Sequence, residues 1–274
     1  MQAFSSPAEW VAPSGTLGAL TQAAFERAEH AAATIPELRA RALDQPPSRP
    51  LAAALRAESV RVIAEVKRAS PSKGAIAPGL DAADQAAQYV SGGAAAISVL
   101  TEPTRFGGSL DDLVAVVRRV EVPVLRKDFI VAPVQIWEAR AAGASAVLLI
   151  VRALDPSRLS ALMECAREAA LGILVEVRDE RELARALEVG ADVIGVNNRN
   201  LETLIIDPST APRVIAGMPA SVIAVAESGV RHVDDVQAAA RAGADAVLVG
   251  SVVSAAKDPA HVVRQLSSVA RRAR

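Results

Sequence analysis

The stretch AGASAVLLIV, residues 142–151, contains the pattern that decides the fold. A glycine follows an alanine-rich helical segment, and an apolar run of strand length comes directly after it. The same tag recurs as GGAAA at 92–96, VGADV at 189–193 and AGADA at 242–246. Glycine commonly ends helices, and continuous apolar runs are typical of parallel strands that are buried on both faces. The repeat therefore predicts helices that alternate with buried parallel strands.

Eight apolar runs are predicted to be strands, and helical periodicity occupies the segments between them, such as 155–170 and 179–189. Eight such units in one chain favour an α/β fold, a closed (β/α)8 TIM barrel with helices outside. An open doubly wound sheet is less consistent with the sequence, because no GxGxxG turn follows the first strand. The predicted strands are 60–67, 94–101, 122–129, 146–151, 172–177, 193–198, 221–228 and 246–251.

The first part of the chain has a different pattern. Residues 17–41 are rich in Ala, Leu, Arg and Glu, which predicts one or two amphipathic helices, and QPPSRP at 45–50 interrupts them. We therefore expect an N-terminal helical extension, residues 1–57, packed on a barrel domain of residues 58–274. Spacing alone leaves open whether this extension serves function or only solubility.

Composition excludes several classes of protein. Of 274 residues, 51% are apolar and 22% are charged, and the net charge of -1 does not suit a nucleic-acid binder. The single cysteine, Cys165, allows neither an internal disulfide nor a zinc cluster. No apolar run reaches the roughly 18 residues of a membrane span, and the first residues do not resemble a signal peptide. We expect a cytoplasmic protein, a monomer or at most a weak dimer.

Polar side chains recur at the downstream ends of the predicted strands. Alternate residues of a strand share a face, so these side chains would end rows that point into the barrel. Burying an ionised group costs several kcal/mol unless it has a partner or a ligand. Their repetition on several strands predicts one binding cavity, and the residues are Glu65, Lys67, Lys127, Glu176, Asn197, Glu227 and Ser228.

Two local motifs carry most of the charge. AEVKRASPSKG at 64–74 places Glu65 and Lys67 on one strand face; the two form either a structural ion pair or part of a site. In VLRKDF at 124–129, Lys127 would point inward while its chain neighbours point outward. An enclosed lysine either loses its proton readily or stays a cation held by carboxylates, and both states are chemically useful.

Glycines near the ends of the last two strands predict a phosphate site. AESGV at 226–230 and VGS at 249–251 allow a ligand to approach backbone N–H groups closely. In this barrel class, phosphate commonly binds at the loops after strands seven and eight. The candidate phosphate-binding residues are Gly229, Gly250 and Ser251, with Lys67 as a cationic contributor.

Seven motifs together resemble the indole-3-glycerol phosphate synthase family, over about residue 17 to the C-terminus. In chain order they are AEVKRASPSKG, AAAISVLTEPTRFGGS, VPVLRKDFI, LVEVRDE, IGVNNRNLET, AESGV and LVGS. The resemblance implies ring closure of 1-(2-carboxyphenylamino)-1-deoxyribulose 5-phosphate to indole-3-glycerol phosphate, with loss of carbon dioxide and water. It implies no cofactor and no metal. A non-catalytic phosphosugar binder on the same barrel is the alternative.

The resemblance also implies roles for single residues. Lys127 matches the family's general acid, and Glu65 and Glu176 match its two catalytic carboxylates. The division of work between these carboxylates and Lys67 stays open at this stage. The aromatic part of the substrate would lie in an apolar slot, which Trp10 would cover from the extension or leave open. The expected slot residues are Pro71, Phe106, Phe129 and Leu148, and the expected polar contacts are Ser70, Asn197, Arg199, Glu227 and Ser228. Asn197 and Ser228 are also expected among the catalytic residues.

Overall fold

The four glycines of the repeated tags lie where helices end and barrel strands follow. The computed structural model describes residues 10–274 of the chain. In it, Gly93, Gly143, Gly190 and Gly243 have φ values of 98°, 83°, 71° and 90°. Such positive φ values cost glycine little and most other residues more, which explains why the tags contain glycine. Each glycine thus reverses the chain from the outer helices to the inner strands.

Eight parallel strands form a closed barrel, which confirms the predicted fold. Each strand pairs with its neighbours in chain order, and the first also pairs with the last. For example, Ile63 is in register with Ala96 on one side and with Leu248 on the other. The strands are β1 (Arg61–Val66), β2 (Ala96–Leu100), β3 (Val124–Lys127), β4 (Ala146–Ile150), β5 (Gly172–Val177), β6 (Val193–Asn197), β7 (Ile223–Glu227) and β8 (Ala246–Val249).

Helices cover the outside of this barrel. Several begin at aspartates whose side chains accept hydrogen bonds from backbone N–H groups, such as Asp155 before α8 and Asp179 before α9. The helices are α1 (Gly15–Ala31), α2 (Ile35–Leu43), α3 (Leu51–Ala54), α4 (Ala82–Ser91), α5 (Pro103–Phe106), α6 (Leu110–Arg119), α7 (Pro133–Ala141), α8 (Pro156–Glu168), α9 (Glu180–Glu188), α10 (Thr210–Ile215), α11 (Val233–Arg241), α12 (Ser251–Ser254) and α13 (Pro259–Leu266).

The N-terminal extension contains α1, α2 and the short α3, joined in part by a 3-10 turn at Ala32–Thr34. Helix α1 buries Leu17, Leu20 and Ala24 against the rest of the protein. Its start is tied to the loop after β6, because Glu202 accepts hydrogen bonds from the Ser14 N–H and hydroxyl at 2.7 and 3.0 Å. The division at residue 57 stays a prediction.

The core continues from the barrel interior into the layer between strands and helices. All five residues of β2, β4, β6 and β7 are buried, as a parallel sheet covered on both faces requires. Among residues 10–274, no helix is long and apolar enough to cross a membrane.

Candidate active site

The predicted site residues meet at the carboxyl end of the barrel. A cavity opens there between the strand ends and the start of α1. A second cavity adjoins it and shares Glu65, Lys67, Lys127, Arg199 and Ser228 among its lining residues. The carboxyl ends of barrel strands are where TIM-barrel enzymes place their catalytic groups.

Lys127 lies at the centre of a buried charged cluster. Its Nζ atom is 3.3 Å from Glu227, 3.7 Å from Glu176 and 3.8 Å from Glu65. The four side chains come from β3, β7, β5 and β1, so only the closed barrel brings them together. We call Lys127, Glu65, Glu176 and Glu227 the inner cluster.

The inner cluster keeps Lys127 protonated. Burial alone lowers the pKa of a lysine, but the attraction of Glu227, Glu65 and Glu176 outweighs it and raises the pKa well above its usual range. Of the two states that the sequence left open, the geometry therefore favours the cation held by carboxylates. A lysine in this state is a proton donor at neutral pH.

Glu227 binds a proton more readily than an ordinary glutamate. Burial, with the nearby charges of Glu176 and Glu65, raises its pKa to about 8, although Lys127 opposes the shift. Neither of its oxygens has a hydrogen-bond partner within residues 10–274. Gly195 on β6 makes room for it, since a Cβ atom there would overlap a Glu227 oxygen.

Glu65 is held from both its backbone and its side chain. The hydroxyls of Tyr89 and Ser254 donate to its backbone carbonyl at 3.3 and 3.0 Å. Lys67 donates to its carboxylate at 3.2 Å. Burial favours the neutral acid, but Lys67 and Lys127 together lower the pKa of Glu65, so it stays ionised. A Cβ atom at Gly250 would lie 2.5 Å from this carboxylate, which explains glycine there.

Asn197 orients the third carboxylate. Its amide nitrogen donates to Glu176 at 3.0 Å, and its amide oxygen accepts the backbone N–H of Arg199 at 2.9 Å. The carboxylate oxygen of Glu176 that does not bind Asn197 faces Lys127. Asn197 thereby connects Glu176 to the loop that places Arg199 at the cavity wall.

An apolar slot borders the inner cluster. The rings of Phe106 and Phe129 lie with centroids 6.2 Å apart and planes at 41°. Pro71 and Leu148 line the same cavity. The Lys67 ammonium is 5.5 Å from the Phe106 ring centroid, so a cation stands at the edge of the slot. The buried hydroxyl of Ser70, which has no partner in the described chain, also belongs to this wall.

The glycine residues lie on the opposite side, in the adjoining cavity. Ser228 and Gly229 follow β7 with φ values of 62° and 92°, a left-handed turn that glycine tolerates and that costs serine strain. Gly250 and Ser251 follow β8 and line the same cavity. Lys73 and Arg231 add positive charge to its wall.

The structure brings every predicted site residue to one of the two cavities except Trp10. Among the described residues, Trp10 is partly buried and lines neither cavity. Sequence reasoning missed the wall contributed by α1 and by the loop after β6, because no local pattern shows which loops meet. These missed wall residues are Thr16, Leu20, Leu201 and Leu204.

The use of lysine in this chain would have pointed to Lys73, one further site residue that sequence reasoning missed. Only four of the 30 cationic side chains are lysines, the rest being arginines. Three of these four, Lys67, Lys73 and Lys127, line the two cavities, while Lys257 is exposed elsewhere. In a chain that otherwise uses arginine, a lysine marks a place where a compact or proton-donating cation is needed.

The fold and the site together define a (β/α)8 barrel enzyme with a buried lysine cation between an apolar slot and a glycine-lined cavity. Comparison with known proteins then gives the family. The family model described as indole-3-glycerol phosphate synthase matches residues 20–266. The chain belongs to the indole-3-glycerol phosphate synthase family, which makes it a decarboxylating lyase of tryptophan biosynthesis.

Relatives with this name are similar over most of their length. Indole-3-glycerol phosphate synthase 1 of Streptomyces coelicolor is 54% identical over 85% of this chain and 87% of its own. The corresponding protein of Mycolicibacterium gilvum is 52% identical over 87% and 88%, and that of Rhodococcus jostii 54% over 84% and 85%.

A solved structure supports the fold alone. Thiamine phosphate pyrophosphorylase from Pyrococcus furiosus matches with a TM-score of 0.57 over 76% of this chain and 94% of its own. Its sequence identity is only 17%, so this likeness is evidence of barrel architecture and of nothing about chemistry.

Proposed function

We propose that the inner cluster catalyses the ring closure of 1-(2-carboxyphenylamino)-1-deoxyribulose 5-phosphate to indole-3-glycerol phosphate. The observation that carries this proposal is the position of Lys127, a buried cation within 4 Å of three carboxylates at the floor of a cavity. The cavity has an apolar slot on one side and a glycine-lined wall on the other. These features match an aryl group and a phosphate at opposite ends of one substrate.

Lys127 acts as the general acid of the ring closure. The aryl carbon that bears the carboxylate attacks the ketone carbon, and the ketone oxygen takes a proton from the Lys127 ammonium. The high pKa of Lys127 keeps that proton in place until negative charge develops on the oxygen. Carbon dioxide then leaves with its electrons returned to the ring, which restores aromaticity.

The slot fixes the aryl ring next to this acid. Phe106 and Phe129 give it aromatic walls, and Lys67 stands at its edge, 5.5 Å from the Phe106 centroid. A ring placed there brings its carboxylate within reach of the Lys67 charge. Burying the ring and pairing its carboxylate orient the attacking carbon toward the ketone, which lowers the entropic part of the barrier.

Dehydration needs a second acid and a base. The hydroxyl that forms from the ketone leaves as water after protonation, and a base takes a proton from the methylene carbon beside the ring nitrogen. We assign the acid to Lys67 and the base to Glu65, because these two groups are 3.2 Å apart and the lowered pKa keeps Glu65 ionised. Glu176, oriented by Asn197, holds Lys127 in position. One net proton is consumed, as release of carbon dioxide from a carboxylate requires.

The phosphate binds at the opposite wall. Gly229, Gly250 and Ser251 expose backbone at the cavity, and Lys73 supplies a cation from the loop after β1. Close approach of the ligand to backbone N–H groups there depends on residues without a Cβ atom. Arg199 and Ser228, which line both cavities, contact the ribulose hydroxyls between the two ends.

Turnover of the purified protein tests this function. The substrate is mixed with wild type, Lys127→Ala and Lys257→Ala, and indole fluorescence is followed. We expect wild-type and Lys257→Ala rates to agree within about twofold, and Lys127→Ala to lose about 10³-fold in kcat, the usual contribution of a general acid. Lys257 is an exposed lysine that lines neither cavity and is therefore the matched control.

Substrate binding by wild type without any fluorescence rise would instead support the non-catalytic binder. Neither the family match nor the named relatives favour that alternative.

We further propose that the enzyme works in the cytoplasm as a monomer. Within residues 10–274, the exposed large apolar side chains are Val11, Leu43 and Ile205. Light scattering at micromolar concentration tests the oligomeric state, and a dimer mass would contradict the monomer.

A further inference from the structure

A second group of side chains, four charged and one polar, lies on the outside of β3, behind the slot. It contains Arg27 of α1, Thr101 and Glu102 after β2, Arg126 of β3, and Asp128, which follows Lys127. We call these five residues the outer network. Thr101, Glu102, Arg126 and Asp128 are all buried, and the Arg27 side chain is 33% exposed. None of them was assigned a role above.

Glu102 fixes the loop that carries one wall of the slot. Its carboxylate accepts the backbone N–H groups of Thr104, Arg105 and Phe106 at 3.0, 2.7 and 3.1 Å. These bonds satisfy the free donors at the start of α5. The direction of the Phe106 side chain therefore depends on where Glu102 is held.

Asp128 fixes the other aromatic wall in a similar way. It accepts the backbone N–H of Phe129 at 2.8 Å, the Thr101 hydroxyl at 2.7 Å and the Arg126 guanidinium at 3.1 Å. Asp128 also directly follows Lys127 in the chain. A shift of this carboxylate would move Phe129 and the end of β3 together.

Arg27 joins the two carboxylates from the N-terminal extension. One guanidinium nitrogen lies 3.3 Å from Asp128, and the other lies 3.8 Å from Glu102. These distances connect α1 to both loops that form the aromatic pair. Arg27 thus supports the two slot loops from outside the barrel, and it lines neither the cavity with the slot nor the adjoining cavity.

We infer that Arg27 is a positioning residue that sets the spacing of Phe106 and Phe129, and so the affinity of the slot for a carboxylated aromatic ring. This inference rests on the proposed function for the identity of that ring. It gives the N-terminal extension a specific task in substrate recognition. Misplacing a wall by a fraction of an ångström weakens ring binding without disturbing the phosphate end.

The test uses two small probes that report the two ends separately. Dissociation constants for anthranilate and for inorganic phosphate are measured by ligand-observed NMR on wild type, Arg27→Met and Arg27→Lys. We expect Arg27→Met to weaken anthranilate binding about 10-fold and phosphate binding less than twofold. Arg27→Lys, which keeps the charge, should recover part of the loss. Because neither measurement needs turnover, an inactive wild type would count against the proposed function only.

Arg39→Met is the matched control. Arg39 lies on α2 of the same extension, pairs with Glu168 at 3.0 Å and stacks on Trp137, away from the cavities. We expect the Arg39→Met variant to bind anthranilate with the same affinity as wild type. Equal losses in Arg27→Met and Arg39→Met, or equal losses for both probes, would overturn the inference, because each indicates general destabilisation.

A double-mutant cycle adds an independent check. If Arg27 acts through Glu102, then Glu102→Gln should weaken anthranilate binding, and the double variant Arg27→Met with Glu102→Gln should lose less than the sum of the two. Strictly additive losses would mean that the two residues act separately and would contradict the proposed brace. Should Glu102→Gln not fold, the Arg27 series alone decides.

Discussion

On β3, Lys127 faces the inside of the barrel and Arg126 faces the outside, and these adjacent cations have different surroundings. Arg126 donates to Thr101, Gln135, Glu138 and Asp128 at 2.7 to 3.2 Å. Lys127 has carboxylates at 3.3 to 3.8 Å, and three oxygens of that cluster have no hydrogen-bond partner in the described part of the chain.

The difference separates a charge used for structure from a charge used for chemistry. A buried polar atom without a partner costs about 1 to 3 kcal/mol, so a cluster serving stability alone would satisfy its atoms as the outer network does. The inner cluster leaves Glu65 and Glu227 oxygens unpaired beside a cavity. These oxygens still have capacity to accept a proton or a hydrogen bond, whereas Arg126 uses four of its five N–H donors.

Removing Arg126 should give the largest loss of stability. Arg126→Met takes a guanidinium away from buried Asp128 and from partly buried Glu138, and it leaves the Gln135 carbonyl without this donor. We expect the free energy of unfolding to fall by about 3 kcal/mol, the lower end for a broken buried ion pair, because Asp128 keeps Arg27, Thr101 and the Phe129 N–H as partners. Glu227→Gln in the inner cluster should not lower it and should raise it at pH 7, because folding protonates a carboxyl group that is ionised in the unfolded chain, and glutamine removes that cost. Urea denaturation measures both, and similar losses would erase the distinction.

A smaller loss of stability is expected at Gly195. Glycine has no Cβ atom, and the Glu227 carboxyl of the inner cluster occupies that space. Gly195→Ala would place a methyl group against the Glu227 carboxyl, and we expect about 1 to 3 kcal/mol of destabilisation from overpacking. Adding Glu227→Ala should restore part of the stability. Gly217→Ala, where a Cβ atom would meet its nearest neighbour at 3.6 Å, is the control. An unchanged melting temperature for Gly195→Ala would contradict the crowding.

The most gradual effect is the contribution of Glu227 to the pH dependence of stability, which is small for each pH unit and accumulates over several. Its folded pKa of about 8 exceeds the ordinary glutamate value of 4.5, so between these values the folded protein binds more protons than the unfolded chain. The stability from this group is complete below about pH 4.5 and is lost as pH rises through 8.

The corresponding measurement is the difference between wild type and Glu227→Gln in unfolding free energy from pH 5 to pH 8. Burial also raises the pKa of Glu182, to about 7. Because both proteins contain Glu182, taking the difference between them removes its contribution. We expect the wild type to lose stability relative to the variant, by at most about 1.4 kcal/mol per pH unit. A wild type that gains relative stability over this range would show that Glu227 is ionised in the folded state.

Much of the fold followed from local pattern. The glycine tags and apolar runs predicted all eight strands, though the observed strands are up to two residues shorter at either end. The predicted seventh strand extends to residue 228, but Ser228 turns to a left-handed φ just after β7. Alternation also indicated that Lys127 points inward and Arg126 outward, because strand geometry fixes side-chain direction.

The sequence by itself determined the barrel, the polar residues at its strand ends and, through seven motifs, the family resemblance. The tertiary structure decided the distances between Lys127 and its three carboxylates, the protonation that follows from them, and the contact of α1 with two slot loops through Arg27. The physical reason is the distance along the chain over which each effect acts. Periodicity and capping act within a few residues of the chain, whereas burial and Coulomb attraction act between groups that only chain closure brings together.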